Sequence, residues 1–304
     1  MPEGDTVFRA AKALHRALAG HIVTRFDSVY PAVTRVAEDH SIVGRTVESV
    51  SARGKHLLIA FSGDLVLRTH MRMNGSWHLY RTGVRWQRPS RDMRVLVGTA
   101  GAVAVGFNVP IAELLSSRDL ARHKDLRVLG PDLLAGAGSP GQLVKKSADA
   151  TAISSRQHGV RCETSFDRGE VIRRMRARGR DAIADVLLNQ RVVSGIGNVF
   201  KSEILFLAGV DPFTPVATLT DDDLGRLVDI SRDQLAANVL DRSKTLSLAT
   251  GRRTTRSMDP HATLWVYRRG GKPCRRCGAI VQSKKTGLDA RLTYWCPHCQ
   301  PPRR

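Results

Sequence analysis

The chain has no apolar run long enough to cross a bilayer, which excludes a helical membrane span. It also lacks an export signal, since its first ten residues, MPEGDTVFRA, are acidic and polar where such a signal is basic and then greasy. A cytoplasmic location follows as the expectation. Cysteine is scarce, with five in 304 residues, and in a reducing compartment their pattern favours metal over disulfides. Four of the five form two CxxC pairs near the C-terminus, and Cys162 stands alone with no role assigned. Acidic residues are scarce as well: 28 Asp and Glu face 48 Lys and Arg, for a net charge of +20. No internal repeat is visible.

What is present is an ordinary globular composition, 42% hydrophobic and 25% charged, in a chain long enough for two domains. An excess of positive charge repels itself and points to a polyanionic partner, nucleic acid before anionic membrane. The plain alternative is a basic surface kept for solubility. The excess is concentrated: residues 251–304 hold 13 Lys or Arg against two acids, Asp259 and Asp289, a net +11. A footprint for a phosphate backbone is expected there.

Residues 6–19 read as an amphipathic helix, with Val7, Phe8, Ala11, Leu14 and Leu18 at three- and four-residue steps, Asp5 or Thr6 as cap and Gly20 as stop. Seven short β-rich runs follow, at 21–30, 46–54, 55–62, 65–73, 75–82, 93–99 and 102–107, punctuated by Gly, Asn, Asp and Ser. Near-regular spacing of this kind predicts a β-sandwich or barrel-like domain. Residues 110–120 read as a short helix, 129–134 as a turn leaving the domain and 135–141 as exposed linker. Helices are expected over 166–178, 181–188, 198–208 and 220–240, the last opened by Thr220 and an acidic first turn. Residues 245–261 are polar, basic and rich in Ser and Thr, the composition of a mobile segment. The resulting fold class is α+β, in four parts: 1–130 a β-sandwich with flanking helices, 131–155 a linker, 156–255 a helical domain and 256–304 a metal-bound β-hairpin.

Cys274 and Cys277 are followed after 18 residues by Cys296 and Cys299. Each CxxC turn aims two thiolates at one centre, and two such turns complete a tetrahedron. Zinc is the default metal for four sulfurs, and four protein ligands leave no open position, so one structural Zn2+ per chain is expected. His298, inside the second pair, is a rival ligand, and two disulfides are the non-metal alternative. Some thirty residues around one metal have almost no core and fold on binding it. Lys284, Lys285 and Arg291 lie between the pairs, on a hairpin suited to a DNA groove; a solvated face is the alternative for the two lysines.

Three segments together carry a resemblance. Met1-Pro2-Glu3-Gly4 precedes the first helix; Asn189-Gln-Arg-Val-Val-Ser-Gly195-Ile-Gly197-Asn198-Val-Phe-Lys-Ser-Glu203 lies mid-chain; Val266-Tyr-Arg-Arg-Gly-Gly-Lys-Pro-Cys274 and Arg291-Leu-Thr-Tyr-Trp-Cys296 frame the metal. In this order, from Pro2 to Cys299, they resemble the formamidopyrimidine-DNA glycosylase / endonuclease VIII family. The resemblance implies a two-layer β-sandwich with flanking helices, a helical domain with a helix–two-turn–helix motif, and a C-terminal zinc-finger β-hairpin. It also implies a bifunctional DNA glycosylase and abasic-site lyase of base excision repair, acting on damaged DNA as a monomer without an organic cofactor, in the cytoplasm and on the nucleoid when bound.

The implied chemistry agrees with the residues. Loss of Met1 before a small residue would leave Pro2 as the terminus. An α-amine has a pKa near 8 against about 10.4 for lysine, so far more of it is free base at neutral pH. As a secondary amine, Pro2 attacking the anomeric carbon gives an iminium that keeps its charge and serves as an electron sink for β-elimination. Glu3 can move protons to the sugar ring oxygen or the leaving base. A helix-flanking Pro and acid is the plain reading of these two residues. By the resemblance, Lys55 in Arg53-Gly54-Lys55 binds a phosphate beside the lesion and assists base loss, Asn198 bonds a phosphate with the help of the amides of Gly195 to Gly197 at a helix start, and Arg291 grips the flanking phosphates. Glu203 supports the site structurally. The damaged nucleotide must be flipped from the stack.

Three departures narrow the expectation. Asp5-Thr6 stands where the oxidised-purine branch has Pro-Glu. The Arg-Arg-Phe-Gly loop of that branch is replaced near Phe107-Asn-Val-Pro110, which removes the cytosine reader and favours oxidised pyrimidines. The endonuclease VIII branch carries Gln-Leu-Tyr where this chain has Arg72-Met73-Asn74; Met73 can wedge into the stack and Arg72 can bond the orphan base, or Met73 is strand packing. A looser hold on duplex leaves room for single-stranded or bubble DNA. The strand-end chemistry, β or β,δ, is open at this level, with the resemblance favouring β,δ. The competing classes are a catalytically silent zinc-ribbon damage sensor and a ribosomal-type RNA-binding zinc ribbon.

Overall fold

The computed structural model describes residues 2–136, 166–239, 252–287 and 290–303. Cys162 and residues 137–165, 240–251 and 288–289 lie outside them. The described chain divides into two units: Pro2, 6–128 and 135–136 form the first, and 3–5, 129–134 and 166 onward the second.

In the first unit the amphipathic opening becomes α1, Gly4–Leu18, whose Thr6-to-Leu18 part belongs here. Val7, Ala11, Leu14 and Leu18 are all essentially inaccessible, and Gly20, at φ +80°, ends the helix in a conformation that costs glycine little. The seven expected strands are all present: β1 Val23–Ser28, β2 Val47–Arg53, β3 His56–Phe61, β4 Leu65–His70, β5 Ser76–Arg81, β6 Met93–Thr99 and β7 Ala102–Phe107. An eighth, β8 Ile111–Ser116, replaces the helix read over 110–120. Its pairing with β4, Leu67 opposite Leu114, overrides the helical look of Ala-Glu-Leu-Leu. Helix starts only at α3, Ser117–Arg122, where the Ser116 side chain accepts the Asp119 N–H. A helix not read from sequence, α2 Pro31–Asp39, begins with Pro at its first turn.

The strands form two antiparallel four-stranded sheets, β1-β6-β7-β5 and β2-β3-β4-β8. Leu57, Ile59, Leu67 and Leu114 of one sheet and Val95, Val97, Ala104 and Trp77 of the other share a single core with α1. This is the expected sandwich.

The second unit holds α4 Arg168–Arg176, α5 Ile183–Leu188, α6 Asn198–Ala208 and α7 Asp221–Val239, then a hairpin of β9 Gln282–Thr286 and β10 Arg291–Trp295. α7 opens where Thr220 marked it: Asp223 N–H donates to Thr220 Oγ1 and Thr220 N–H to Asp223 Oδ2, a reciprocal cap. α6 is buried along nearly its whole length and packs on α7 and β10. Gly209, at φ +66°, closes it. The segment expected to be mobile is anchored where it is described: Thr254 and Thr255 are buried, and Arg252 forms a two-pronged pair with Asp5 at 2.8 and 2.9 Å. Two buried carboxylates, Asp5 and Glu203, take partners from this stretch, which its composition alone could not reveal. No helix among the described residues is long and apolar enough to cross a membrane.

Candidate active site

Glu3 is wholly inaccessible. Its Oε1 accepts the Val199 N–H at 2.8 Å, and its Oε2 accepts the N–H groups of Gly197 at 3.1 Å and Phe200 at 3.3 Å. These are the unpaired amides of the first turn of α6, which attract a carboxylate by hydrogen bond and by helix dipole. The glycines of the Gly195-Ile-Gly197 motif now have a steric reason. A Cβ on Gly197 would lie 2.3 Å from the Glu3 carboxyl carbon, and one on Gly4 would lie 2.8 Å from Gly195 Cα. Gly4 N–H donates to Gly195 O at 2.8 Å, and Gly195 itself sits at φ +108°. Gly195 N–H donates to Gln190 Oε1 at 3.1 Å, so the Gly195 and Gly197 amides, expected to help Asn198 hold a phosphate, are instead taken by Gln190 and Glu3. The chain's opening residues are thus locked edge to edge with the turn before α6. Pro2, half-buried, is the next residue out from this anchor.

Asn198 begins α6 and is buried; its Nδ2 donates to Leu292 O at 2.9 Å, and its Oδ1 is buried without a partner. Three residues on, Lys201 is fully buried and donates from Nζ to Thr293 Oγ1 at 2.7 Å, and Thr293 in turn meets Thr286 Oγ1 at 2.7 Å. Burial, helped by the charge of Arg291, pushes the Lys201 amine down to about 8, against the pull of Asp185 and Glu3. α6 therefore holds β10, and Arg291 is the first residue of that strand. Sequence reading passed over Lys201 because one lysine inside a motif carries no sign of burial. Glu203, two residues further, supports structure as expected: it accepts the N–H groups of Trp265 at 2.8 Å, Val266 at 2.9 Å and Tyr267 at 2.8 Å, together with the Thr254 hydroxyl.

The first unit gathers Lys55, Arg72 and Met73 at one end of a sheet. Lys55 occupies the β2–β3 turn, and the pairing of His56 with His70 sets that turn beside the β4–β5 loop that carries the other two. Met73 is 58% exposed, which does not fit burial by strand packing. Arg72 is exposed at φ +49°, and its N–H donates to His70 Nδ1 at 3.0 Å. Burial, then the charges of Arg72 and Lys55, push His70 down to about 4, so its ring stays a neutral acceptor.

The Sγ atoms of Cys274, Cys277, Cys296 and Cys299 all lie within 4.8 Å of one another, with Cys277–Cys296 at 3.5 Å and Cys274–Cys299 at 4.0 Å. Four thiolates about 2.3 Å from one zinc stand about 3.8 Å apart, so the donor set fits a tetrahedral Zn2+ with no open position. The four are free thiols, and His298 is exposed and outside the group. Arg276, inside the first pair, stacks over Phe206 at 4.4 Å and ties the finger to α6.

Comparison with known proteins agrees along the chain. The formamidopyrimidine-DNA glycosylase N-terminal domain matches residues 1–110, the H2TH domain of the same enzyme residues 162–249, and the zinc finger found in formamidopyrimidine-DNA glycosylase and isoleucyl-tRNA synthetase residues 271–302. A probable endonuclease 8 of Streptomyces coelicolor is 38% identical across 99% of this chain and 94% of its own length. This chain belongs to the formamidopyrimidine-DNA glycosylase / endonuclease VIII family. Within that family of DNA-repair glycosylases and abasic-site lyases, the Nei2 DNA-(apurinic or apyrimidinic site) lyase of Mycolicibacterium smegmatis is 37% identical over 99% of both chains. Endonuclease 8 of Escherichia coli is 31% identical over 99% of this chain and all of its own. The family fold is seen again in the crystal structure of Lactococcus lactis Fpg in complex with abasic-site DNA, at TM-score 0.75 and 22% identity over 99% of this chain and all of the other.

Proposed function

We propose that this chain is a bifunctional DNA glycosylase and abasic-site lyase that removes oxidised bases, pyrimidines before purines, through a Schiff base on Pro2. The observation that carries this reading is the seat of Glu3: a buried carboxylate, held by three amides of α6, adjoins the one secondary amine the chain can offer at its terminus. A proline so placed needs no lysine-like depression of its pKa to be nucleophilic at neutral pH.

The Pro2 nitrogen lone pair attacks C1′ of the flipped nucleotide, and the glycosidic bond breaks with its electrons leaving on the base, which takes up a proton. The C1′–O4′ bond opens, O4′ is protonated, and the nitrogen becomes an iminium. Loss of a C2′ proton into that sink expels the 3′ phosphate, a second elimination can expel the 5′ phosphate, and water finally releases the amine. Glu3, the next residue in the chain, is the proton carrier of this mechanism; Oε1 accepts Val199 N–H and a carboxylate oxygen has room for a second donor. Lys55, Asn198 and Arg291 bind phosphates around the lesion. Met73 fills the gap left by the flipped nucleotide, and Arg72 reads the orphan base from a backbone fixed by His70. Zinc, bound by the four cysteines, supplies rigidity to the hairpin and no chemistry. The protein works as a monomer in the cytoplasm.

The test is borohydride trapping of protein with a free Pro2 terminus on DNA carrying an abasic site or an oxidised pyrimidine. A covalent complex is expected with both. Pro2→Gly should cripple lyase activity and weaken trapping, and Glu3→Gln should lose base excision before it loses strand cleavage. Protein with a free proline terminus that leaves every abasic substrate uncut would overturn the proposal.

A further inference from the structure

The segment joining β5 to β6 contains Arg81, Arg85, Arg88 and Arg91 and has no part in the site above. Strand pairing fixes its course. Arg81, the last residue of β5, lies opposite Ala102, whereas Met93, the first of β6, lies opposite Phe107, which is also the partner of Ser76 at the start of β5. The segment therefore leaves one end of the sheet and returns along it to the other. It is pinned in between: Trp86 lies 6.5 Å from the Tyr80 ring and 5.7 Å from that of Phe107, Gln87 N–H donates to Tyr80 Oη at 3.2 Å, and Asn108 N–H donates to Asp92 O at 2.8 Å. Arg88 lies near the middle, close enough that its charge, after burial, helps lower His78 on β5.

This course leaves an open groove of about 1080 Å³ whose lining includes all four of these arginines, Arg25 and Trp86, and no Asp or Glu. Arg25 has Asp27 as partner at 2.6 Å, but Arg81, Arg85, Arg88 and Arg91 have no carboxylate partner among the described residues. Four arginines kept together without acids repel one another unless an anion joins them. Guanidinium forks match phosphate oxygens, and a concave strip fits a strand better than a flat membrane. The groove's lining takes in Arg81, Gly98, Thr99 and Val103 at the end of the sheet away from Ser76, and Arg81 lies about 17 Å along β5 from Ser76 and the Arg72–Met73 loop, at about 3.3 Å per residue. That is the length of about five base-pair steps.

We infer that this groove is a second DNA-binding track, in which the arginines grip the phosphate backbone of the duplex flanking the lesion. The inference rests on the proposed action at damaged DNA and extends it to substrate length: flanks that reach the groove bind more tightly and more salt-sensitively than flanks that do not.

The experiment changes Arg81, Arg85, Arg88 and Arg91 together to Gln, all exposed or half-exposed positions outside the proposed machinery. Binding is measured against salt on a duplex of about 25 base pairs and on one of about 9 that carry an unreactive abasic analogue, and trapping on duplexes of the same two lengths that carry a true abasic site. Each phosphate contact contributes about 0.9 to the slope of log K against log salt, so loss of four lowers it by up to about 3.6. The expected result is a fall of about 2 to 3.6 on the long duplex, no change on the short one, and unchanged single-turnover trapping at saturation. A control set, Arg118, Arg122, Lys124 and Arg127 to Gln, removes the same charge elsewhere and should leave the length dependence intact. An unaltered long-duplex slope, an equal fall on both duplexes, or the same effect from the control set overturns the inference. Competition for the groove by polyglutamate but not by duplex would assign it to an acidic protein and also overturn it. Wild-type protein that fails to trap even the short duplex would instead defeat the enzymatic reading, and the track would fall with it.

Discussion

Lys201 lends itself to a quantitative test. Its amine is wholly inside the second unit, bonded to Thr293, with a pKa lowered from 10.5 to about 8. A lowered pKa on a base means that the folded state holds its proton less tightly than the unfolded chain. Below pH 8 both states are protonated and the burial cost is carried in full; between 8 and 10.5 the folded state has released the proton while the unfolded chain keeps it. Stability therefore rises with pH through this window. At about 1.36 kcal/mol per pKa unit, the wild type gains about 2.5 kcal/mol between pH 7 and pH 10 from this group alone. Lys201→Met removes the titration and also one hydrogen bond of about 1 kcal/mol. Urea unfolding of both proteins at pH 7, 8, 9 and 10, followed by tryptophan fluorescence, isolates the effect, because every other titrating group cancels in the difference. The wild type should gain on the variant by about 2.5 kcal/mol across the series. A flat difference, or one that shrinks, would refute the claim that the amine is buried as a strained cation.

Other outcomes follow from the same geometry. Gly197→Ala puts a methyl 2.3 Å from the Glu3 carboxyl carbon, so excision and trapping should drop by at least a hundredfold in single-turnover assays while zinc content stays at one per chain. Asp5→Ala strands the nearly buried Arg252 and should cost about 3–5 kcal/mol in unfolding free energy, whereas disrupting the exposed Arg168–Asp229 pair should cost under about 1 kcal/mol. Removing zinc with a chelator, or changing Cys277 to Ser, should release the hairpin and with it Arg291, so that DNA binding weakens and metal analysis reads near zero.

Much of this was legible in the sequence for identifiable reasons. The cysteine spacing encodes its own geometry, and seven β-rich runs at near-regular spacing, broken by turn residues, announce the sandwich directly. The strand at Ile111–Ser116 escaped because six residues, Ile-Ala-Glu-Leu-Leu-Ser, are too short a stretch for their period to tell helix from sheet, and its β4 partner is more than forty residues away. The anchoring of Asp5 by Arg252 and of Glu203 by Thr254 joins residues 247 and 51 positions apart, so neither leaves a local trace. The Gly195-Ile-Gly197 motif could be noticed, but its purpose, to let a carboxylate from the chain's opening approach the helix, needed the fold. The burial of Lys201 is likewise a property of what surrounds it.

The seat of Glu3 also fixes when the reactive end becomes competent. Its three amide donors are synthesised almost two hundred residues after it. At about 5–20 residues per second, roughly 10–40 s separate the two during translation. Throughout that interval the Glu3 carboxylate has no amide partners, so on the proposed mechanism a nascent or truncated chain would carry the nucleophile without the seat of its neighbouring carboxylate.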